Sequence, residues 1–340
     1  MDYATLIPYI FKRFSVISAF RTALPTLRYY AARPELAESK KPALFTMNIL
    51  PPAATVWHHC ARKHLGDAVD IVIFDSSGKL DPKDFPGTIV QPFLNLYAAV
   101  KCDEFMRHVA KKRKVAWLCD DDIFIINGKT LDVIERELSD PLTASISFRP
   151  RMWWQIDIDG KRVYPSATYC TAFNRDIFVE REKLSLRPAD GNTHPSLIGK
   201  PMKRYDTGDK ANEILLRKGY RCAIIPKADE PTYIAGFAGM SAGVMLLWYF
   251  KTAEQTTEYL LSPPKQQWSG NTLFRMLCAL LTISTIQECH KKITGWEYPL
   301  PSLPSHDTLL KIREDHLHLL RPDQSFEWLD EAAENLVRAL

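Results

Sequence analysis

The sequence holds no CxxC pair, and its seven cysteines, at 60, 102, 119, 170, 222, 278 and 289, are odd in number and scattered. That spacing excludes a zinc ribbon, argues against a disulfide framework and fits a reducing, cytoplasmic setting. No run of about 18 apolar residues free of charge occurs, so no spanning helix is expected. The first residues carry Asp2 and lack an apolar core closed by small residues, so no secretory signal is expected either. Charge is not massed: 44 basic against 40 acidic residues leave a formal net charge of only +4, which gives nucleic acid no special claim as a partner. Neither GxGxxG nor GxxxxGK[ST] is present, which removes dinucleotide and P-loop readings. There is no internal repeat and no low-complexity block.

What is present is ordinary globular composition, 46% hydrophobic and 25% charged over 340 residues, enough for one large α/β domain with an appendage. Short apolar runs at Ala43–Ile49, Val69–Phe74 and Val115–Cys119 read as strands, separated by helical spacing over Ala53–Leu65 and 94–112. Pro51 and Pro52 are read as ending the first strand. Continuous apolarity in Val115–Cys119 means a strand covered on both faces, where Cys119 acts as a small apolar residue. Alternation of strand and helix predicts a mostly parallel, Rossmann-like sheet with helices on both sides. Strand-like pieces at Thr143–Phe148, Met152–Ile156, Arg162–Tyr164 and Thr168–Phe173, with an Asp159-Gly160 turn, predict an antiparallel or mixed extension. A helix over Thr207–Lys218 ends at Gly219 and leads into a strand at Tyr220–Ile225. Ile234–Phe250 reads as a buried loop running into a helix, and the last ninety residues read as mostly helical, over Asn271–Lys292, His306–Leu320 and Ser325–Leu340. The expected organisation is an N-terminal helical, amphipathic segment (1–40), an α/β domain (41–250) and a helical C-terminal extension (251–340).

Residues 5–33 interleave Leu6, Ile7, Phe11, Phe14, Ile17 and Phe20 with Lys12, Arg13, Arg21, Arg28 and Arg33. A basic amphipathic segment can lie on an anionic membrane surface, as a peripheral contact. An apolar stripe packed on the domain's own flank is the expectation, since such stripes are usually core.

The chemistry concentrates at Asp120-Asp121-Asp122. Three adjacent carboxylates after an apolar strand repel one another and raise each other's pKa unless a cation is present. Mg2+ or Mn2+ takes one or two carboxylates plus phosphate oxygens. If the strand geometry continues, Asp120 and Asp122 share a face, while Asp121 points away or toward a backbone group. The blander alternative is a solvated acidic turn, but such turns rarely lie between two apolar runs. Asp75 also falls at a strand's carboxyl end, where ligands of parallel sheets bind.

At this point the segment Val115–Ile126 resembles the DxD segment of GT-A-fold nucleotide-sugar glycosyltransferases. Ile71–Gly78 is similar to that family's second-strand segment, and Tyr205–Asp209, with the helix after it, to its acceptor-side segment. The match spans about residues 42–245. The resemblance implies a metal-dependent, inverting glycosyltransferase. A nucleoside diphosphate sugar would lie across the strand ends, with Asp75 and Ser76 toward the nucleoside, Asp120 and Asp121 along the donor, and the metal on Asp120 and Asp122. It also implies that Asp209 or Asp206 takes the proton of the acceptor hydroxyl. Asp209, ten residues before Gly219, is favoured, and Asp206 is read as a candidate helix N-cap. The acceptor, whether glycan, lipid or protein, is not encoded. One departure stands out: Ile234–Ser241 lacks the late histidine that completes the family's metal shell.

Other residues carry less. His58, His59, Cys60 and His64 share a helix without good ligand spacing. Trp153, Trp154, Tyr164, Arg151 and His194 are candidates for acceptor contact only. The rival functions are a nucleotidyltransferase of related fold, whose glycine-rich first loop is not matched by Pro51–Ala54, and a non-catalytic binding protein on a transferase-like fold. A haloacid dehalogenase-type phosphatase would place its acidic strand first.

Overall fold

The computed structural model of the protein describes residues 3–152, 155–158, 160–188, 190–192, 197–198, 202–269 and 272–340, with the backbone alone for residues 3–15, 17, 190–192, 197–198, 202–204 and 266. Trp153, Trp154, Asp159 and His194 lie outside the described residues. Among the described residues the central sheet has seven strands. They are β1 (Ala43–Asn48), β2 (Asp70–Asp75), β3 (Thr88–Pro92), β4 (Val115–Cys119), β6 (Thr143–Ser147), β7 (Cys170–Asn174) and β8 (Arg221–Ile224), with β5 (Ile123–Ile125) and β9 (Ile234–Gly236) forming a separate antiparallel pair. The order across the sheet is β8-β6-β7-β4-β1-β2-β3. Only β7 runs against its neighbours; the pairs β8–β6, β4–β1, β1–β2 and β2–β3 are parallel. This is the mostly parallel α/β sheet flanked by helices that strand–helix alternation requires, followed by a helical C-terminal region.

Continuous apolarity in the central strands is explained by two cores. Alternate residues point to opposite faces: Leu44, Ile71, Ile73, Trp117 and Ile146 face one core, and Phe45, Val72, Phe74, Leu118 and Phe173 the other. The first face is covered by α2 (Pro51–Leu65) and beyond it by α6 (Met240–Tyr249) and α8 (Thr272–Thr294). The second is covered by α3 (Ala98–Glu104), its π-helical continuation Phe105–Val109, and α5 (Asp209–Arg217). The helix α8 is buried along most of its length, and α9 (His306–His316) and α10 (Glu327–Ala339) pack on it. The C-terminal region thus shares a core with the sheet.

The structure differs from the expectations in four local places. Pro51 and Pro52 open α2, since proline lacks only a donor that the first helical turn leaves unpaired anyway. β3 is a half-buried edge strand closed by Pro92, a position where a missing N–H costs no ladder bond. The helix α4 (Lys129–Leu138) is absent from the order of elements read above; it opens after Asn127, whose side chain accepts from Lys129 N at 3.0 Å, and buries Thr130, Val133 and Ile134. The expected helix over 94–112 starts only at Ala98.

The N-terminal helix α1 (Tyr3–Ala32) lies along the sheet's β3 edge and against α6. It packs on the flank; among its described side chains Ser18, Thr22, Thr26 and Tyr29 face inward and Val16, Phe20, Leu24 and Leu27 face out, while the expected stripe residues Leu6, Ile7, Phe11, Phe14 and Ile17 have side chains outside the described ones.

Close approach of α6 and α8 depends on Gly243. A Cβ there would stand 3.0 Å from Ala279 Cβ and 2.7 Å from Ile283 Cδ1. Gly243→Val is therefore expected to lose about 1–3 kcal/mol through overpacking, read as a lowered melting temperature by circular dichroism.

Candidate functional site

The apolar strand β4 stops where its last residue meets the crevice at the sheet's carboxyl edge. Asp120 N donates to Tyr169 O (2.7 Å) and Ile123 N to Asp120 O (3.1 Å), so Asp120–Ile123 is a turn. Strand alternation therefore does not place Asp120 and Asp122 together; the turn does, and Asp122 is the neighbouring charge that most raises the Asp120 pKa. The turn is held from the far side by Phe237 N, which donates to Asp122 O at 2.9 Å, and by the β5–β9 pair.

Each carboxylate keeps part of its surface open while protein closes round the rest. Burial first, and then mutual repulsion, holds Asp120 well above the ordinary carboxylate range, and lifts Asp121 to about 8. Asp122 is raised to about 6 by burial, against the pull of Arg149. Each also leans on a different wall. Asp121 accepts from Ile49 N at 3.4 Å. Asp122 accepts from Met240 N at the start of α6. Asp120 feels the Arg151 guanidinium.

Three cations ring the triplet, and each has another partner. Lys101, buried on α3, donates to Ser76 Oγ at 3.1 Å and has its pKa lowered to about 8 by burial. Arg149 pairs with Glu230 and donates to the carbonyls of Gly236 (2.7 Å) and Phe237 (3.1 Å). Its guanidinium occupies the space a Cβ of Gly236 would need, which explains that glycine. Arg151 is fully buried. Its Nε lies 2.9 Å from Asp209 Oδ1, and its terminal nitrogens reach Asp206 Oδ2 (3.3 Å), Tyr169 OH (3.3 Å) and Thr207 O (2.7 Å).

The structure sorts the sequence-predicted residues. Asp120, Asp121 and Asp122 gather at one point, with Arg151 linking them to Asp206 and Asp209. Asp209, favoured on spacing, is fully buried, paired with Arg151, and accepts from Asp206 N at 3.0 Å. Asp206 has a side chain 50% exposed and receives Tyr97 OH at 3.3 Å. The N-cap of α5 falls on Gly208, so Asp206 is not the cap.

Asp75 turns inward. Its Oδ1 accepts from Asn48 Nδ2, Ser77 N and Ser77 Oγ (2.8, 2.9 and 2.6 Å), and its Oδ2 from Lys79 N and Leu80 N (both 3.0 Å). With every lone pair engaged, it shapes the 75–80 loop. Ser76 is likewise buried, under Lys101. The sequence reading missed Lys101, Tyr97 and Arg149. Lys101 sits on a helix among other lysines and arginines, where nothing local marks it as buried.

Beside the triplet lies a cavity of about 450 Å3 walled by Ile49, Ser77, Lys79, Trp248 and Tyr298. Ile49 belongs both to this wall and to the hydrogen bond with Asp121. The Lys79 ammonium stands 5.9 Å from the ring centres of both Trp248 and Tyr298.

Among the described residues no group of three or more His, Cys, Asp or Glu side chains is arranged so that it could hold a metal ion. The triplet supplies oxygen donors whose charge the nearby cations only partly offset. His58 takes no part; it is buried in α2 with Nε2 3.0 Å from Thr88 Oγ1.

No family model matches the chain, and no curated protein matches it. Among solved structures it is similar to the mannosyltransferase PcManGT from Pyrobaculum calidifontis, determined with GDP-Man and Mn2+. That likeness covers 96% of this chain and 97% of the other, with a TM-score of 0.39 and 13% identity. At that distance it carries no weight for activity.

Two outcomes follow from the geometry. Removing the Arg151 cation leaves Asp209 buried without it, so Arg151→Met is expected to cost about 3–5 kcal/mol, and adding Asp209→Asn is expected to recover part of the loss. Denaturant titration of both single variants and the double variant checks this. Stability should also depend on pH. In the unfolded chain Asp121 and Asp122 release their protons near the ordinary aspartate value, while the folded protein retains them up to about 8 and about 6. The folded state thus binds more protons in between, and stability falls as pH rises from about 4 to about 8. Melting temperatures in chelator should decline across that range, and less steeply in Asp121→Asn.

Proposed function

We propose that the protein is a metal-dependent glycosyltransferase that moves a sugar from a nucleoside diphosphate donor to an acceptor hydroxyl with inversion. The observation that carries this reading is the under-neutralised triplet Asp120–Asp122 at the sheet's carboxyl edge. An aromatic and cationic cavity lies on one side of it, and an exposed carboxylate, Asp206, on the other. Asp120 and Asp122 would hold Mn2+ or Mg2+, with Asp121 beside them. When bound, such an ion supplies Lewis-acid neutralisation of the departing diphosphate.

The chain's own residues account for the rest. The nucleoside enters the cavity between Trp248 and Tyr298, where ring faces can stack on a base and Lys79 can meet a phosphate. Asp75 and Ser76 serve that end by building the loop that presents Ser77 and Lys79. Lys101 lends positive charge beneath the triplet. At the far end the acceptor O–H gives its proton to Asp206 as the oxygen attacks the sugar carbon. The bond from that carbon to the diphosphate breaks in the same step, with oxocarbenium character developing at carbon. Asp206 is assigned this role over Asp209 because an acceptor can reach it, whereas Asp209 is sealed against Arg151. Arg151 positions Asp206.

The test is a thermal-shift and turnover screen with UDP-, GDP-, CMP- and dTDP-linked sugars, each with and without Mn2+. One donor is expected to raise the melting temperature only together with metal, and Asp122→Asn should abolish that shift. Asp206→Asn should lower turnover by about 100-fold or more while donor binding persists, and Asp209→Asn should act mainly on stability. Retention at the sugar carbon would remove the base assignment. Binding of a donor without any turnover would make the chain a non-catalytic binding protein, and no response to any donor would end the reading.

A further inference from the structure

Among its described side chains, from Val16 to Leu27, the helix α1 is inverted. In a helix packed on a globular flank, apolar residues face the core and polar ones face water. Here Ser18, Thr22 and Thr26 are at most 1% exposed, while Val16, Phe20, Leu24 and Leu27 are 54, 89, 57 and 66% exposed. Those four residues follow spacings of four, four and three, so they form one stripe on the side opposite the hydroxyls.

This orientation is fixed by contacts on the inner face. Thr22 and Thr26 Oγ1 donate to the carbonyls of Ser18 (2.8 Å) and Thr22 (2.6 Å), which satisfies them within the helix. Thr26 Oγ1 also accepts from Leu94 N at 2.8 Å, tying α1 to the segment after β3. Gly78, with φ of +62°, lets the 75–80 loop approach so closely that a Cβ would stand 2.7 Å from Arg21 Cβ. Tyr29 sits against Phe74 and Phe93, with ring centres 5.6 and 5.3 Å away. A turn of the helix that hid the stripe would break the contacts with Leu94, Gly78, Phe74 and Phe93 at once.

Charge identifies what covers the stripe. From Tyr3 to Arg33 the sequence has five basic residues, Lys12, Arg13, Arg21, Arg28 and Arg33, and no acidic one. Arg21 and Arg28 are exposed, and each lies three or four positions from a stripe residue. Two copies of such a surface would repel each other. A bilayer carrying anionic lipid offers both an apolar layer for the stripe and negative headgroups for its cationic border. Among the described residues no helix is long and apolar enough to cross a membrane. We infer that α1 is an interfacial anchor that lays Val16, Phe20, Leu24 and Leu27 into the surface of an anionic bilayer.

The test uses the full chain in flotation with vesicles of phosphatidylcholine alone and of phosphatidylcholine mixed with phosphatidylglycerol. Binding is expected to the mixed vesicles and to weaken with added salt. Phe20→Ser with Leu24→Ser should reduce the partition coefficient roughly tenfold or more, with circular dichroism and melting temperature unchanged because both side chains are already exposed. Arg28→Glu should weaken binding to the mixed vesicles alone. The inference is overturned if the chain floats with neither vesicle, or if the double variant floats as well as the parent. It is also overturned if the parent is a dimer that the double variant converts to monomer, which would make a second copy the occupant.

Discussion

Everything at the sheet's carboxyl edge answers to one constraint: three carboxylates in sequence, half enclosed, with too little positive charge beside them. Burial pushes all three upward, repulsion adds to it at Asp120 and Asp121, and the cations beside them are each engaged with another partner. Lys101 is anchored on Ser76, Arg149 on Glu230 and two carbonyls, and Arg151 on Asp206, Asp209 and Thr207. Had any of them closed directly on the triplet, the site would be a buried ion pair with little reason to bind anything further. Committed to those partners, they leave the charge of the triplet only partly offset, which is the feature the proposed metal would answer.

The same arrangement separates residues that shape the site from residues that can react. Asp75 and Asp209 are both carboxylates at the crevice, and both are fully buried with their oxygens engaged. Asp206 lies three residues from Asp209 and shares the same arginine, yet half of its side chain faces solvent. A carboxylate sealed against a guanidinium is a poor proton acceptor, because taking a proton would forfeit the ion pair. In the proposed reading exposure favours Asp206, whereas spacing alone favours Asp209.

This also marks the limit of the sequence. Periodicity found the central strands and the helix at Asp209–Arg217, since those patterns reflect burial that the sheet enforces. It found the acidic triplet because carboxylates after an apolar strand are unusual in themselves. It could not find Lys101 or Arg149, which resemble any surface cation until the chain folds and closes over them. It favoured Asp209 through spacing, which is blind to whether a side chain points in or out. Nor could it find the cavity at Trp248 and Tyr298, assembled from four stretches of chain between residues 49 and 302. The edge strand Thr88–Pro92 was hidden by flanking prolines, which usually signal loops.

The inversion of α1 has a local cause that links it to the crevice. The surface beneath the helix is not a flat apolar face. Beneath Thr22 and Thr26 it includes the 75–80 loop, which Asp75 draws tight with four hydrogen bonds, together with an amide at Leu94 that needs an acceptor. A small residue fits at that close approach at Thr22, Thr26 supplies the acceptor to Leu94 N, and, one turn on, Tyr29 fills the space against Phe74 and Phe93. Arg21, on that same helix, also borders the cavity beside the triplet. The loop that presents Ser77 and Lys79 to the cavity is thus the loop that sets the rotation of α1. A substitution loosening Asp75's grip would then be felt on both sides, at the cavity wall and along the outward stripe.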